Sequence, residues 1–137
     1  MKARYTIILT FTLLTLMVTA QQKTHLGPRI DFEETRYSFD TLTSQDTAVH
    51  YFRFTNTGDE PLVISTAFTS CGCTIPTWPT KPILPGESDV VKIGFHTKNL
   101  GRFSKGTMVK TNATENPNVM LRINGYVKEP SPTRPEF

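Results

Sequence analysis

From Ala48 to Thr55 the chain alternates, with Ala48, His50, Phe52 and Phe54 on one side and Val49, Tyr51, Arg53 and Thr55 on the other. A period of two is that of a half-buried strand. The pattern returns in Leu62 and Ile64 against Val63 and Ser65, and in Val91, Ile93 and Phe95 against Lys92 and Gly94. It returns again in Val119, Leu121, Ile123 and Val127 against Met120, Arg122, Asn124 and Tyr126. Residues 103–111 repeat it more weakly, through Phe103, Thr107 and Val109. Segments 30–34 and 37–42 supply the first strands, through Phe32, Tyr37, Phe39 and Leu42. Asn56-Thr57-Gly58-Asp59, Pro85-Gly86 and Asn99-Leu100-Gly101 read as turns, the first because Asn and Gly tolerate positive φ. The prolines at 76, 79, 82 and 85 predict one long irregular connection. No stretch has helical spacing, and no internal repeat stands out. About seven short strands with regular turns predict an all-β, immunoglobulin-like seven-stranded β-sandwich over residues 30–128. A small closed barrel is the alternative architecture.

The ends change the picture. Lys2 and Arg4 precede an apolar stretch from Ile7 to Val18, which closes on Val18-Thr19-Ala20. This is the pattern of a signal peptide over residues 1–20, cleaved before Gln21. The stretch is shorter than the ~20 residues a bilayer span needs. After cleavage no membrane span is expected, and with no cysteine near the cut no lipid anchor is expected. Residues 21–29 are polar and aperiodic and read as a flexible leader. Residues 129–137 carry Pro130, Pro132 and Pro135 and read as an extended tail. The formal charge of the 137-residue chain is +3. Removing Lys2 and Arg4 leaves +1, too nearly neutral for a protein held to nucleic acid by counterion release. A chain of this length buries roughly two-thirds of its unfolded surface and needs no staple to fold. Its two cysteines, Cys71 and Cys73, therefore need another explanation.

The order of motifs is familiar. Phe52-Arg53-Phe54-Thr55-Asn56-Thr57-Gly58-Asp59 leads through Pro61-Leu62-Val63-Ile64 to Ser70-Cys71-Gly72-Cys73-Thr74. Trp78-Pro79, Pro85-Gly86-Glu87, Gly101-Arg102-Phe103 and Leu121-Arg122-Ile123-Asn124-Gly125-Tyr126-Val127 follow. Over about residues 30–128 this resembles the bacterial domain of unknown function 1573, abundant in exported proteins of the Bacteroidetes. That family is similar to the single immunoglobulin-like domains of pilus chaperones, major sperm protein and ciliary or centrosomal adaptors. The resemblance implies a seven-stranded sandwich in the periplasm or at the cell surface, and no known activity. One departure is visible: the family often has Gly after the first aromatic pair, where this chain has Asp40.

Cys71-Gly72-Cys73 is the most distinctive motif. Export permits a disulfide. A bridge two residues apart needs Cα atoms within ~6.8 Å, a limit an extended strand barely meets, so a bend at Gly72 is expected, and with it a readily reduced bond. Two thiolates can instead hold Cu(I), with Ser70 and Thr74 beside them, but they cannot complete a four-ligand zinc site. His25, His50 and His96 have no ligand spacing. The third reading is structural: two small residues shaping a corner of the sandwich. Trp78, the single tryptophan, is either an exposed stacking surface or a lid over one end of the core; aromatic bulk favours the lid. His50 shares the Phe52 and Phe54 face and reads as a core or edge histidine, since no motif places a nucleophile or carboxylate beside it. Glu33 and Glu34 are adjacent, so on a strand they face opposite ways. Lys92, Lys98, Arg102, Lys105 and Lys110 read as solvated faces and edge protection. Asn112-Ala113-Thr114 fits the N-glycosylation pattern by chance. Thr41 in Asp40-Thr41-Leu42 and Thr47 in Asp46-Thr47-Ala48 match the three-residue O-glycosylation motif of exported Bacteroidetes proteins.

No nucleophile, base and orienting group fall into one motif, so the expected protein is not an enzyme and needs no cofactor. The first expectation is an exported binding or structural module with a protein or cell-envelope partner, met at sheet edges or end loops. The alternative is a thiol-based redox or Cu(I)-handling protein using Cys71 and Cys73.

Overall fold

A computed structural model describes residues 24–130. The expected signal peptide, the first residues of the expected leader and most of the expected tail lie outside the described residues. Eight strands follow in order: β1 (Ile30–Phe32), β2 (Arg36–Thr43), β3 (Thr47–Asn56), β4 (Ile64–Thr69), β5 (Thr74–Thr77), β6 (Ser88–His96), β7 (Gly101–Thr111) and β8 (Asn118–Lys128). They form two four-stranded sheets, ordered β1-β3-β6-β5 and β2-β8-β7-β4. The pairs are antiparallel except β2 with β8, which is parallel. Two open sheets packed face to face make a sandwich and not a closed barrel. Among the described residues no helix is long and apolar enough to cross a membrane.

The strand count is one higher than expected, and the extra strand is β5. It lies in the segment read as irregular because of its prolines. Pro76 pairs opposite Ile93 of β6, but β5 is the outermost strand of its sheet. A residue without an N–H is tolerated on an edge, where one side of the strand makes no ladder bonds.

The two inner faces supply the core. Phe52, Phe54, Val91 and Ile93 of the first sheet meet Val109, Leu121, Ile123 and Val127 of the second, all at most 1% exposed. Their outward neighbours stay in solvent, with Tyr51 at 55%. The alternation in the sequence thus assigns faces correctly, because a strand has one buried side and a period of two.

In β2 the inward residues are Tyr37, Phe39 and Leu42, a spacing that slips by one. The pairing with β8 shifts between Ser38 and Thr41, and Asp40 takes φ 55°. This is a bulge whose extra residue sits in the left-handed region. The position is the one where the resembled family often has glycine. Asp40→Gly is expected to stabilise the fold by about 0.5 kcal/mol, the relief of left-handed strain less the entropy glycine loses. Urea melts check it: the midpoint should rise at unchanged slope, and a lower midpoint would mean that the Asp40 side chain stabilises the bulge.

Asn56 departs from its expected role. Neither it nor Gly58 has positive φ. Asn56 is fully buried, and its Nδ2 donates to Glu60 O at 2.7 Å and to Ile83 O at 2.9 Å. Its Oδ1 accepts from Gly58 N–H at 3.0 Å and from Arg29 N–H at 3.4 Å. Its own backbone bonds Glu87 O and Gly86 N–H. One amide therefore ties together the segment before β1, the turn after β3 and the loop before β6. Gly58 is needed here for space, since a Cβ would fall on Gly27 O and within 2.7 Å of Arg29 N.

The segment expected as a leader is attached where it is described. Asp59 N–H donates to Gly27 O, Thr57 N–H to Arg29 O and Thr114 N–H to Pro28 O, each at 2.9–3.1 Å. Leu26 N–H donates to Asp59 Oδ2 at 3.0 Å and holds that carboxyl below its ordinary pKa. All these bonds are to backbone or to one exposed side chain, so no hydrophobic period announces them in the sequence.

Candidate functional site: the cysteine turn and the β4 edge

β4 belongs to one sheet and β5 to the other, so residues 70–73 carry the chain across the open side of the sandwich. Cys71 and Cys73 are disulfide-bonded there, with their Cα atoms 5.4 Å apart. Thr69 and Thr74, at the strand ends, hold the turn. Thr69 Oγ1 donates to Cys71 O at 2.7 Å, and the buried Thr74 hydroxyl lies 3.6 Å from Cys71 Sγ and 4.0 Å from Cys73 Sγ. Cys73 O accepts from His96 N–H at 3.1 Å, which fastens the turn to β6. Of the two hydroxyls expected near the sulfurs, Thr74 is there, whereas Ser70 is exposed. Gly72 is also exposed, and a Cβ on it would meet nothing. The bend therefore does not demand glycine.

As bridged, the sulfurs present neither a thiolate nucleophile nor a thiolate ligand. Among the described residues no group of three or more His, Cys, Asp or Glu side chains converges. The three histidines lie apart. His25 is exposed beside Asp59 and Glu60, and His96 is exposed at the end of β6. His50 is half-buried, its Nε2 2.7 Å from Glu34 Oε1 and its ring stacked on Tyr37 at 3.6 Å. That carboxylate is a partner the sequence reading missed, because it comes from the β1–β2 link across the sheet edge. Phe52 meets the ring edge-on at 4.7 Å, so aromatic packing holds the imidazole while Glu34 stays exposed. Glu33 belongs to the same link, outside β1, and reaches Arg53 instead, at 3.4 Å.

Trp78 is half-buried and packs against the core. Thr41 and Thr47 are both exposed. The Asn112 side chain is engaged in the fold: its Oδ1 accepts from Val63 N–H at 2.8 Å and its Nδ2 donates to Pro61 O at 3.2 Å.

Beside the turn, β4 is the outermost strand of its sheet, bonded to β7 only. On the outer face of that sheet Phe68 pairs with Met108, and Met108 pairs with Met120. Phe68 is 49% exposed and Met120 39%, so the three form an apolar row that starts at the free edge. The Lys110 ammonium sits 5.5 Å from the Phe68 ring centre on one side of the row. Arg36 and Arg122, paired across β2 and β8, flank its other side. This row escaped the sequence reading because its members lie 12 and 40 positions apart and only the sheet register aligns them.

Solved structures share the fold. A protein of unknown function from Porphyromonas gingivalis W83 is similar at 13% identity and a TM-score of 0.66, over 80% of this chain and 51% of that one. The chain thus spans about half the length of that protein. The PapD-like domain 7 of human CEP192 is similar at 12% identity and a TM-score of 0.60, over 83% of this chain and 94% of that one. The periplasmic chaperone SfaE is similar at 12% identity and a TM-score of 0.51, over 78% and 61%. At such identities the likeness concerns the sandwich alone. No curated protein matches the sequence. The family model described as "Protein of unknown function (DUF1573)" matches residues 30–127, nearly the whole sandwich, and the chain belongs to that family.

Proposed function

We propose that this protein is an exported, non-enzymatic binding domain that receives a protein partner along the β4 edge. One observation carries the reading: β4 is a bare edge, and the exposed row Phe68–Met108–Met120 begins on it. An unpaired edge offers a line of N–H and C=O groups to an added strand, and natural proteins usually protect such edges. β4 has no proline and no charged residue from Ile64 to Thr69. An added strand would set an apolar side chain beside Phe68, and the two thioethers next to it adapt readily to different shapes. The PapD-like fold supports a binding role through its architecture only. Export is supported by the amino-terminal pattern.

Photo-crosslinking in the native host tests the edge. Benzoylphenylalanine at Thr66 or Phe68 is expected to give a discrete protein adduct, while the same group at Tyr51 or Arg53, outside the other sheet, gives none. Adducts from Tyr51 without any from Phe68 would move the partner to the other sheet. For export, amino-terminal sequencing of the native protein is expected to read from Gln21. A chain still beginning at Met1 would remove that part of the proposal.

The cysteines take a structural role in this reading. Replacing both Cys71 and Cys73 by Ser is expected to cost less than the usual ~2–4 kcal/mol of a disulfide, because the closed loop is so short. Partner crosslinking should survive the change. The same protein, reduced, distinguishes the metal alternative: stoichiometric Cu(I) binding that the double substitution abolishes would favour copper handling over a structural corner.

A further inference from the structure

At the end of the sandwich opposite Asn56 a cleft of about 590 Å³ opens beside the cysteine turn. Cys73 forms part of one wall. Phe95 of β6 and Phe103 of β7 line it too, their rings stacked at 4.3 Å. The charged side chains around it are all of one sign: Lys98, Arg102 and Lys105, with His96 beside them and no Asp or Glu.

Lys105 is out of place by the logic of its strand. Its neighbours at intervals of two along β7 are Phe103, Thr107 and Val109, the core-facing row, in which Thr107 and Val109 are 1% and 0% exposed. Lys105 pairs opposite Ile123 of β8, itself 1% exposed. Lys105 itself is half-buried, and a charged side chain on the inner parity of a strand normally has a partner. The ion pairs among the described residues involve Arg29, Arg53, His25 and His50, and none includes Lys98, Arg102 or Lys105. With no carboxylate among the lining residues, the three cations set a positive potential at one opening. All of this is relieved by an anion. A volume of this size falls within the ~300–1,000 Å³ of small-molecule sites, more than a bare inorganic ion fills, and the two phenyl rings suit an apolar body.

We propose that this cleft binds an organic anion, with a carboxylate or phosphate group at Lys105 and an apolar body against Phe95 and Phe103. The site is separate from the β4 edge, and neither proposal depends on the other. At Lys105 β7 is bonded to β8 alone, because β4 pairs only with Thr107–Thr111, and edge protection by an outward charge does not explain a lysine at the parity of Thr107 and Val109.

Two probes of matched shape, phenyl phosphate and phenylacetate, test the site by amide chemical shifts in the purified protein, with inorganic phosphate as the third ligand. At least one phenyl probe is expected to shift the Phe95, Phe103 and Lys105 amides saturably, and the tighter of the two identifies the charged group. Inorganic phosphate should bind about tenfold more weakly or worse. Lys105→Met should weaken the phenyl probe about tenfold or more, the loss of one charge-assisted hydrogen bond. The same substitution should leave the melting temperature of the free protein unchanged or raised, because it removes a half-buried, unpaired charge. Lys98→Gln, on the exposed loop, should weaken binding less and fold normally. Absence of any saturable shift, or equal affinity in Lys105→Met, would overturn the proposal. So would a marked drop in the melting temperature of free Lys105→Met, which would make Lys105 a structural cation. Should Lys105→Met fail to fold, Lys98→Gln decides, with unchanged phenyl-probe affinity counting against the site.

Discussion

Asn56→Asp is expected to destabilise the fold by about 3–5 kcal/mol at pH 7, although it changes one NH2 into one oxygen. The two groups that Nδ2 serves are carbonyls, Glu60 O and Ile83 O, and both would then face a buried carboxylate. The new group has no cation beside it, so it escapes only by taking up a proton. Protonating a carboxyl of ordinary pKa ~3.9 at pH 7 costs about 4 kcal/mol, which bounds the electrostatic part. A protonated acid has one donor where the amide has two, so one carbonyl stays unserved, at a further ~1 kcal/mol or so. The sign with pH follows. The folded state raises the pKa of the new acid, so the penalty is smallest below the unfolded pKa, grows as pH rises from the unfolded towards the folded pKa, and levels off above it. Denaturant melts of wild type and variant at several pH values between 4 and 8 measure this. A stability difference independent of pH would mean that the amide is valued for its shape and not for its donors.

Phe54→Ala is expected to cost ~3–5 kcal/mol, the range for truncating a fully buried phenylalanine. Phe54 is 0% exposed and its ring lies 5.5 Å from that of Phe32, so the substitution leaves a void in the core beside β1. Arg53→Ala, one residue away on the outer face, loses only the exposed contact with Glu33 and should cost under about 1 kcal/mol. Paired melts are the check. Comparable losses from the two variants would mean that the face assignment of β3 is wrong.

Most of the fold was legible along the chain. Strand period placed Phe52, Phe54, Val91, Ile93, Leu121, Ile123 and Val127 in the core, where they are. The bulge at Asp40 was not legible there: residues 37–42 read as one regular strand, and only the pairing with β8 shows the shift. The eighth strand was hidden, because Pro76 counts against a strand unless one knows that the strand is an edge. The turn at Asn56 was located correctly and explained wrongly: backbone permissiveness was expected, and a buried side-chain hydrogen-bond centre was found.

The candidate sites were less legible. Cys71 and Cys73 were visible as a motif, but which groups surround them depends on how β4, β5 and β6 come together. The Phe68–Met108–Met120 row, the Glu34–His50 pair and the cationic cleft around Lys105 are all made by residues far apart in sequence. Lys105 was read as one of several solvated charges, yet its parity with Thr107 and Val109 sets it on the inner side. Which side of each strand is apolar is a local property, written in alternate residues and set by the pleat. Which strand becomes an edge, which polar side chain is buried, and which charges meet around one opening depend on sheet order and register. Those are decided by the packing of the whole chain, because only there do distant positions share the same loss of water.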